Sequence, residues 1–276
     1  MLAVALLLMS GALTATLSSE STRLDESIVG AVPLFRPLAW TARAVRRRLS
    51  GMPWQSVQVC VEMEKVGSDY GGYSVVPDRI RPDSVVYSFG IGEDISFDLG
   101  MIERFGVTVH AFDPTPRSLA WVAGHTPPPR LVVHPFGLAD HDGQASFAPP
   151  VNPEHVSHTM LDCHSASGPH IDLEVKRLST VMQELGHDRV EILKMDIEGA
   201  EYGVIEDFID TRIPISQILL EYHHHLPGVP LLRTERSLRR LNAAGYRIFD
   251  VSEEGREFSL IHESAVTSGS DRRGHM

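Results

Sequence analysis

Short apolar runs alternate along the chain with segments whose apolar residues recur at helical spacing. Residues 85–89 form an apolar run that ends at Gly90, which is typical of a buried strand. The following segment has apolar residues at the spacing of a helix face, at Ile95, Leu99 and Ile102. Further strands are predicted at 107–112, 131–136, 190–195, 217–222, 246–251 and 258–262, with 171–175 as an edge strand. Further helices are predicted at 115–122, 180–186, 201–209 and 234–244, with a Thr115-Pro116 start for the first and a Thr180–Gln183 capping box for the second.

This alternation predicts an α/β fold. Strands that alternate with helices build a mostly parallel sheet with helices on both faces. Residues 253–255 (Glu-Glu-Gly) are a turn signal between the last two strands, which predicts a hairpin and hence one antiparallel strand. In such sheets ligands bind beyond the carboxyl ends of the strands.

Four segments are predicted along the chain. Residues 1–19 carry no charged side chain, residues 20–69 are a variable lead-in, residues 70–263 form the α/β domain, and residues 264–276 are a disordered tail. The first segment fits a membrane anchor and equally an extension without function, and it fits an export signal less well. Since the basic residues follow it, an anchor would place the domain in the cytoplasm.

Composition narrows the classes of function. The net charge of −11 argues against a dedicated nucleic-acid binder, which needs a basic surface. The two cysteines, Cys60 and Cys163, form no paired motif and are expected to be reduced. A Pro-, Ser- and His-rich stretch at 149–169 contains His155, His158 and His164, lacks the paired spacing of a zinc site, and is interpreted as a polar lid.

A Gly-x-Gly turn follows the first long strand and precedes a helix. Gly90 and Gly92 allow the backbone to approach a nucleotide-like ligand where a side chain would collide with it. A dinucleotide fingerprint needs a third glycine at position 95, which is Ile95. Glu93 and the acid after it would repel a pyrophosphate but suit a cationic ligand such as S-adenosylmethionine.

Asp113 ends the second strand, in the position of an acid that binds ribose hydroxyls. This contact is common to NAD sites and S-adenosylmethionine sites. Together with the acidic turn, Asp113 favours S-adenosylmethionine as the cofactor.

Three segments resemble the FkbM-type methyltransferases, in particular the branch of methyltransferase-like proteins of animals. They are residues 85–98, residues 110–116 and the run LKMDIEGAE at 193–201, within a resemblance that covers roughly residues 70–262. The resemblance implies a class I methyltransferase fold, Rossmann-like, with a seven-stranded sheet and an antiparallel last strand. It also implies methyl transfer to an oxygen in many members.

The resemblance also implies cofactor-binding positions. These are Phe89, Gly90, Gly92, Glu93 and Asp113 around the turn, and Leu138 and Asp140 flanking the adenine. Many members carry an aspartate on the first strand where this chain has Ser88-Phe89, which leaves Glu93 and Asp94 as candidates to contact the cofactor ammonium. Residues 70–73 (Tyr-Gly-Gly-Tyr) are a candidate flap over the cofactor.

The candidate chemistry lies at the ends of two later strands. Transfer to a hydroxyl needs alignment and removal of one proton, for which Asp196, His223 and His224 are the candidates. Alternative interpretations are a salt bridge between Lys194 and Glu198 near a strand end, a helix N-terminus favoured by Glu198 and Glu201, and a solvated histidine loop. Asp196, Glu221 and His223 could also supply metal ligands, but nothing in their spacing demands a metal, and none is predicted.

Three functions therefore compete. The leading hypothesis is an S-adenosylmethionine-dependent methyltransferase that acts on a hydroxyl of a small molecule or glycan. The second is a non-catalytic, membrane-tethered module that keeps the fold, and the third is a nicotinamide-dependent oxidoreductase. The sequence identifies neither the acceptor nor the oligomeric state.

Overall fold

A seven-stranded sheet forms the centre of the fold. The structure is a computed structural model, and it describes residues 56–149, 159, 168–226 and 228–266. In chain order the strands of the large sheet are β3 (Val85–Phe89), β4 (Thr108–Phe112), β5 (Leu131–His134), β9 (Val190–Met195), β10 (Ile215–Glu221), β11 (Tyr246–Val251) and β12 (Glu257–His262). Two short ladders lie outside it: β1 (Glu64–Val66) with β2 (Tyr73–Val75), and β6 (Gly137–Leu138), β7 (Gly143–Phe147) and β8 (Ile171–Lys176).

The strand order of the large sheet is β5-β4-β3-β9-β10-β12-β11. β3 pairs in parallel with both β4 and β9, and β9 pairs in parallel with β10. β12 is antiparallel to both of its neighbours, so the last strand of the hairpin lies between β10 and β11. The prediction of a mostly parallel seven-stranded sheet with an antiparallel last strand is confirmed.

Helices cover both faces of this sheet. They are α1 (Ser96–Phe105), α2 (Pro116–Gly124), α3 (Leu178–Leu185), α4 (Glu201–Asp210), α5 (Leu231–Ala243) and a terminal turn, α6 (Glu263–Val266). Alternate side chains of each strand enter one of two hydrophobic clusters. One cluster joins Tyr87 and Leu193 to α3, α4 and α5, and the other joins Val86 and Ile192 to α1 and Val122 of α2.

Several local predictions were wrong. α1 buries Phe97, Asp98 and Met101, whereas the predicted face residue Leu99 is exposed. The segment predicted as an edge strand is β8, which lies in the middle of the small sheet and pairs with both β6 and β7. α3 begins at Leu178 without a capping box, because Thr180 donates to Asp142 Oδ2 instead (2.9 Å).

A row of ring side chains crosses one face of the sheet, and we call Tyr87, His110, His134 and His187 the histidine column. The Tyr87 hydroxyl lies 2.6 Å from His187 Nδ1, and His110 Nδ1 lies 3.1 Å from His134 Nε2. The His110 and His134 rings stack at 5.3 Å. Burial lowers the pKa of His110 to about 4, with His134 and His187 acting in the same direction. His110 is therefore uncharged near neutral pH.

The predicted anchor at residues 1–19 lies outside the described residues, and so do His155, His158, Cys163 and His164 of the predicted lid. The chain divides into two units, residues 1–41 and 42–276, and every described residue belongs to the second. Within the described part of the chain, none of the helices has the length and apolar character needed to cross a membrane.

Candidate active site

The Gly-x-Gly turn joins β3 to the loop before α1 at the carboxyl edge of the sheet. Gly90 (φ +74°) donates its N–H to Phe112 O at 2.9 Å, which fixes the turn to β4. A Cβ on Gly90 would lie only 1.7 Å from the backbone oxygen of Asp196, so no other residue fits there. A Cβ on Gly92 (φ +53°) would meet no protein atom within 4 Å, so a ligand can approach this backbone.

Asp113 lies against this turn. Its Oδ2 accepts the N–H of Gly92 at 3.1 Å, and its Oδ1 accepts the N–H and hydroxyl of Thr115 at 2.9 and 2.5 Å. A carboxylate has about four lone-pair sites, so these three bonds leave capacity for about one more. The position fits a ribose hydroxyl, and the glycine turn with Asp113 fits a nucleoside cofactor.

The two acids of the turn are paired within the protein. Glu93 binds Arg117 at 2.8 Å on the surface. Asp94 accepts bonds from the Ser68 hydroxyl and the Ser96 N–H, both at 2.7 Å. Burial acts to raise the pKa of Asp94, but these hydrogen bonds outweigh it and the pKa is lowered. The acids that favoured a cationic cofactor in the sequence therefore also shape the loop.

The candidate flap is tied to the same turn. Ser68 Oγ accepts the N–H groups of Tyr70 and Gly71 at 3.2 and 2.9 Å while it donates to Asp94. The Tyr73 ring is buried and the Tyr70 ring is exposed. Residues 70–73 are thus placed beside the Gly-x-Gly turn, and their closure over a cofactor stays a prediction.

The side chains of the other predicted cofactor-binding residues, Phe89, Leu138 and Asp140, do not hydrogen-bond to the Gly-x-Gly turn as Asp113 does. The Phe89 ring is buried and stacks on Phe112 at 4.1 Å, so only its backbone faces the turn. Leu138 is 1% exposed, within the core, whereas Asp140 is exposed and contacts His141. The segment does approach the site, since a Cβ on Gly137 would lie 3.2 Å from Pro114 Cγ. The role of these residues at an adenine ring stays a prediction.

The loop after β9 brings acids next to the turn. The Asp196 N–H donates to Phe89 O at 3.1 Å, and two residues later Glu198 has a φ of +52°, rare for a residue with a side chain. Glu201 begins α4 and is fully buried; its Oε1 accepts the N–H groups of Ile197 and Gly199 at 3.3 and 3.1 Å. One buried carboxylate therefore holds the loop that carries Asp196.

His223 completes what we call the acidic cluster, which contains Asp196, Glu198, Glu201, Glu221 and His223. His223 follows β10, and its side chain is 4% exposed. Its Nδ1 donates to Glu201 Oε1 at 2.8 Å, and its Nε2 lies 3.5 Å from Asp196 Oδ1 and 3.3 Å from Glu198 Oε2. The structure thus brings together two predicted catalytic residues, Asp196 and His223.

Charge in the cluster is concentrated. Burial acts to lower the pKa of His223, but Glu201, Glu198 and Asp196 outweigh it and raise the pKa to about 10. Burial and Asp196 raise the pKa of Glu221 to about 7. The cluster therefore holds a protonated histidine among several carboxylates.

His224 does not join the cluster. Burial, Arg256 and His223 lower its pKa, and its Nδ1 is buried without a hydrogen-bond partner among the described residues. Thr159, in contrast, reaches the cluster from the His-rich segment. Its hydroxyl donates to Glu198 O at 2.5 Å, and its backbone bridges to Ala148. This described residue of the predicted lid therefore contacts the site.

The sequence reasoning missed a buried polar group beneath the turn. Lys194 donates its Nζ to Gly90 O at 2.7 Å, not to the Glu198 considered as its partner. Asp98 and Ser88 are fully buried on the same face of the sheet, and burial raises the pKa of Asp98 to about 6, although Lys194 acts to lower it. Asp98 thus supplies a buried acid beside Ser88. An acid on the buried face of α1 was the available signal.

The strand order defines a class I methyltransferase fold, and the geometry of the glycine turn and Asp113 is compatible with a nucleoside cofactor. Residues 85–248, more than half of the 276-residue chain, match the family model of the methyltransferase FkbM domain. The chain belongs to this family, whose members are S-adenosylmethionine-dependent methyltransferases. The resemblance noted in the sequence is confirmed, and the nicotinamide-dependent alternative is set aside.

Individual relatives agree with this family. Methyltransferase-like protein 24 of Homo sapiens is 28% identical over 180 residues, which are 64% of this chain and 42% of the human protein. The chain thus spans less than half the length of that relative. The 31-O-demethyl-FK506 methyltransferase FkbM of Streptomyces tacrolimicus is 26% identical over 175 residues, 52% of this chain and 67% of that protein.

Among solved structures, fibrillarin of Aeropyrum pernix with bound S-adenosyl-L-methionine overlaps at 12% identity and a TM-score of 0.37. The overlap covers 66% of this chain and 67% of that chain. The fold assignment is based on the strand order described above.

Proposed function

We propose that this chain transfers the methyl group of S-adenosylmethionine to a hydroxyl oxygen of a small molecule or glycan. The observation that carries the proposal is the direct contact between the cofactor turn and the acidic cluster. The Asp196 N–H bonds to Phe89 O, and the Asp196 carbonyl excludes any side chain at Gly90. A reacting hydroxyl beside Asp196 is therefore also beside the cofactor turn. The FkbM relative, named as an O-demethyl-FK506 methyltransferase, supports an oxygen acceptor.

Asp113 and the Gly92 backbone would hold the nucleoside part of the cofactor. Asp113 has capacity for one further hydrogen bond, and Gly92 leaves its backbone approachable. When bound, S-adenosylmethionine supplies an electrophilic methyl group on a positively charged sulfur. The acidic cluster gives this edge of the sheet a negative field that favours such a cation.

Asp196 is the residue we assign to the acceptor hydroxyl. Its side chain is 33% exposed and so within reach of a substrate, whereas His223 is buried and held by Glu201. Asp196 would accept the hydrogen bond of the hydroxyl, orient its oxygen and take up its proton. His223 would act as a positioning residue that fixes the Asp196 carboxylate.

Calorimetry with S-adenosylmethionine is the first test. The full chain should bind the cofactor, and Asp113→Ala should bind it more weakly. A panel of hydroxyl compounds and glycans should then release S-adenosylhomocysteine together with a product 14 Da heavier than its acceptor, the mass of one CH₂ group. Failure of a folded sample to bind the cofactor would overturn the proposal.

A non-catalytic module that keeps the fold is the second candidate, because this chain has Ser88-Phe89 where the resemblance implies an aspartate in many family members. The buried acid beside Ser88, Asp98, argues against this candidate and for a cofactor site that is still functional. Cofactor binding without turnover on a broad acceptor panel would favour this candidate. Membrane attachment through residues 1–19 is part of this candidate and is checked separately, by fractionation of chains with and without that segment.

A further inference from the structure

Three side chains of the acidic cluster converge from the ends of two neighbouring strands. Asp196 follows β9, Glu221 ends β10, and His223 comes two residues later. One ligand-type atom from each lies within 4.8 Å of those of the other two. We propose that Asp196, Glu221 and His223 bind a divalent metal cation that also coordinates the acceptor hydroxyl.

The donor set suits such a cation. Two carboxylates and one imidazole provide oxygen and nitrogen ligands, which Mn²⁺ and Zn²⁺ both accept. Three protein ligands leave further coordination positions open, as in catalytic rather than structural sites. Asp196 and Glu221 are both partly exposed, so these positions can be reached from solvent.

A buried carboxylate that is not one of the three proposed ligands orients the histidine toward the other two ligands. Glu201 is fully buried, is fixed by two backbone N–H groups, and accepts the Nδ1 proton of His223 at 2.8 Å. This bond directs Nε2 toward Asp196, and a bound cation would displace the Nε2 proton of His223 to water. A carboxylate that binds the rear nitrogen of a histidine is the usual support of a metal-ligating imidazole.

The charge balance points the same way. Among the described residues, Asp196, Glu201 and Glu221 place three carboxylates beside the imidazole of His223. The Nε of Arg256 lies 3.7 Å from Glu221 Oε1. A divalent cation between the carboxylates would compensate the excess of negative charge.

This inference rests on the proposed function and assigns the same site a further task. A hydroxyl coordinated to a divalent cation has a lower pKa, so it loses its proton more readily. The proton would pass to a cluster carboxylate and from there to water. The oxygen would then be held, with its charge stabilised, beside the cofactor turn that Asp196 contacts.

Metal binding is measured without turnover. The full chain is dialysed against EDTA, freed of chelator, and titrated with MnCl₂ while electron paramagnetic resonance reports free Mn²⁺. One bound Mn²⁺ per chain is expected. His223→Gln should weaken binding by more than about tenfold, since loss of a ligand exceeds the loss seen for supporting groups. His225→Gln, the same change on an exposed neighbour in the loop, should bind as the wild type does.

Because His223 is buried, its substitution could prevent folding, and a second variant at a more exposed ligand is therefore needed. Asp196→Asn changes a partly exposed ligand and should weaken Mn²⁺ binding in the same way, with circular dichroism showing a folded chain. Absence of Mn²⁺ binding by the wild type overturns the inference. So does a folded Asp196→Asn chain that binds Mn²⁺ as tightly as the wild type.

Cofactor calorimetry on the metal-free chain separates the two proposals. If S-adenosylmethionine binds and turnover is unaffected by chelation, the metal inference fails and the proposed function stands. If Mn²⁺ binds in the manner described but S-adenosylmethionine does not, the metal site stands and the proposed function fails.

Discussion

Two histidine-containing clusters, one partly buried and one built around a buried histidine, have opposite electrostatic character. In the histidine column, His110 lies among other rings, and burial lowers its pKa to about 4. In the acidic cluster, burial acts in the same direction on His223, but three carboxylates raise its pKa to about 10. Burial alone therefore does not decide the charge of a histidine; its neighbours do.

The comparison also separates structure from function. The partly buried column is held by stacking of the His110 and His134 rings and by one hydrogen bond between them. The acidic cluster lies after the carboxyl ends of β9 and β10 and includes the partly exposed Asp196. Perturbed groups in a reachable crevice are the ones to expect in catalysis.

The largest expected difference between the clusters concerns turnover. Asp196→Asn should reduce methyl transfer by about 10²–10⁴-fold, the usual contribution of a general acid–base group. His110→Phe, in the column, should leave the rate unchanged. Release of S-adenosylhomocysteine with an accepted substrate measures both, and calorimetry verifies that each variant still binds the cofactor. Comparable losses in the two variants would contradict the division of roles.

The second-largest expected difference between the two clusters is in their contribution to the free energy of unfolding. Glu201→Ala removes the carboxylate that holds His223 and two backbone N–H groups, and should lower the free energy of unfolding by about 3 kcal/mol. Tyr87→Phe removes one hydroxyl contact of the column and should cost about 1 kcal/mol.

Urea unfolding of each variant provides the measurement, with Glu201→Gln as an intermediate that keeps an accepting oxygen. Equal costs for Glu201→Ala and Tyr87→Phe would show that the buried carboxylate does not hold the loop.

The pH dependence of the unfolding free energy should show the titration of His110 in the histidine column. The pKa of His110 is lower in the folded chain than in the unfolded chain, so its contribution is complete above about pH 6.5 and is lost as the pH falls toward 4. Because the ring is only partly buried, we expect a loss of about 2 kcal/mol rather than the full value of the shift.

The difference in unfolding free energy between wild type and His110→Phe, followed from pH 7.5 to pH 4.5, isolates this contribution. The neighbouring groups His134, His187 and Lys176 are present in both the wild type and His110→Phe, so the difference between the two chains reports His110. A difference that does not change with pH would show that His110 is not responsible.

The smallest expected effect lies at the cofactor turn, which neither cluster contains. Asp113→Ala should weaken S-adenosylmethionine binding by about tenfold, since one charged hydrogen bond contributes roughly 1.5 kcal/mol. Asp83→Ala, which removes an exposed acid elsewhere, should bind normally. Calorimetry decides, and equal affinities of the two variants would rule out a ribose contact by Asp113.

Much of the fold could be predicted because the central strands are continuous apolar runs with clear glycine stops. β3 was predicted with its observed bounds, and the closing hairpin was found from its turn residues. The face of α1 was misjudged, because tertiary packing there buries Asp98 and leaves Leu99 exposed. Local periodicity does not report which side of a helix meets the sheet.

Individual residues of the candidate site could be predicted from the sequence, but the contacts between them could not. The turn and Asp113 follow from local sequence, and the motif containing Asp196 followed from a resemblance. Glu201 was interpreted only as a residue favourable to a helix start, whereas it binds His223, which is 22 residues away in the chain. Contacts of that separation are set by the packing of β9 against β10, which single-sequence patterns do not encode.

The position of β12 has a consequence for how the protein is made. Residues 257–262 insert between β10 and β11, so the sheet is completed from the inside by its last strand. During synthesis, the edge of β10 that pairs with β12 has no partner until residue 262 has left the ribosome. Domains usually fold as units once enough chain has emerged. Assembly of this one is therefore expected to be late, with an exposed strand edge that chaperones would protect.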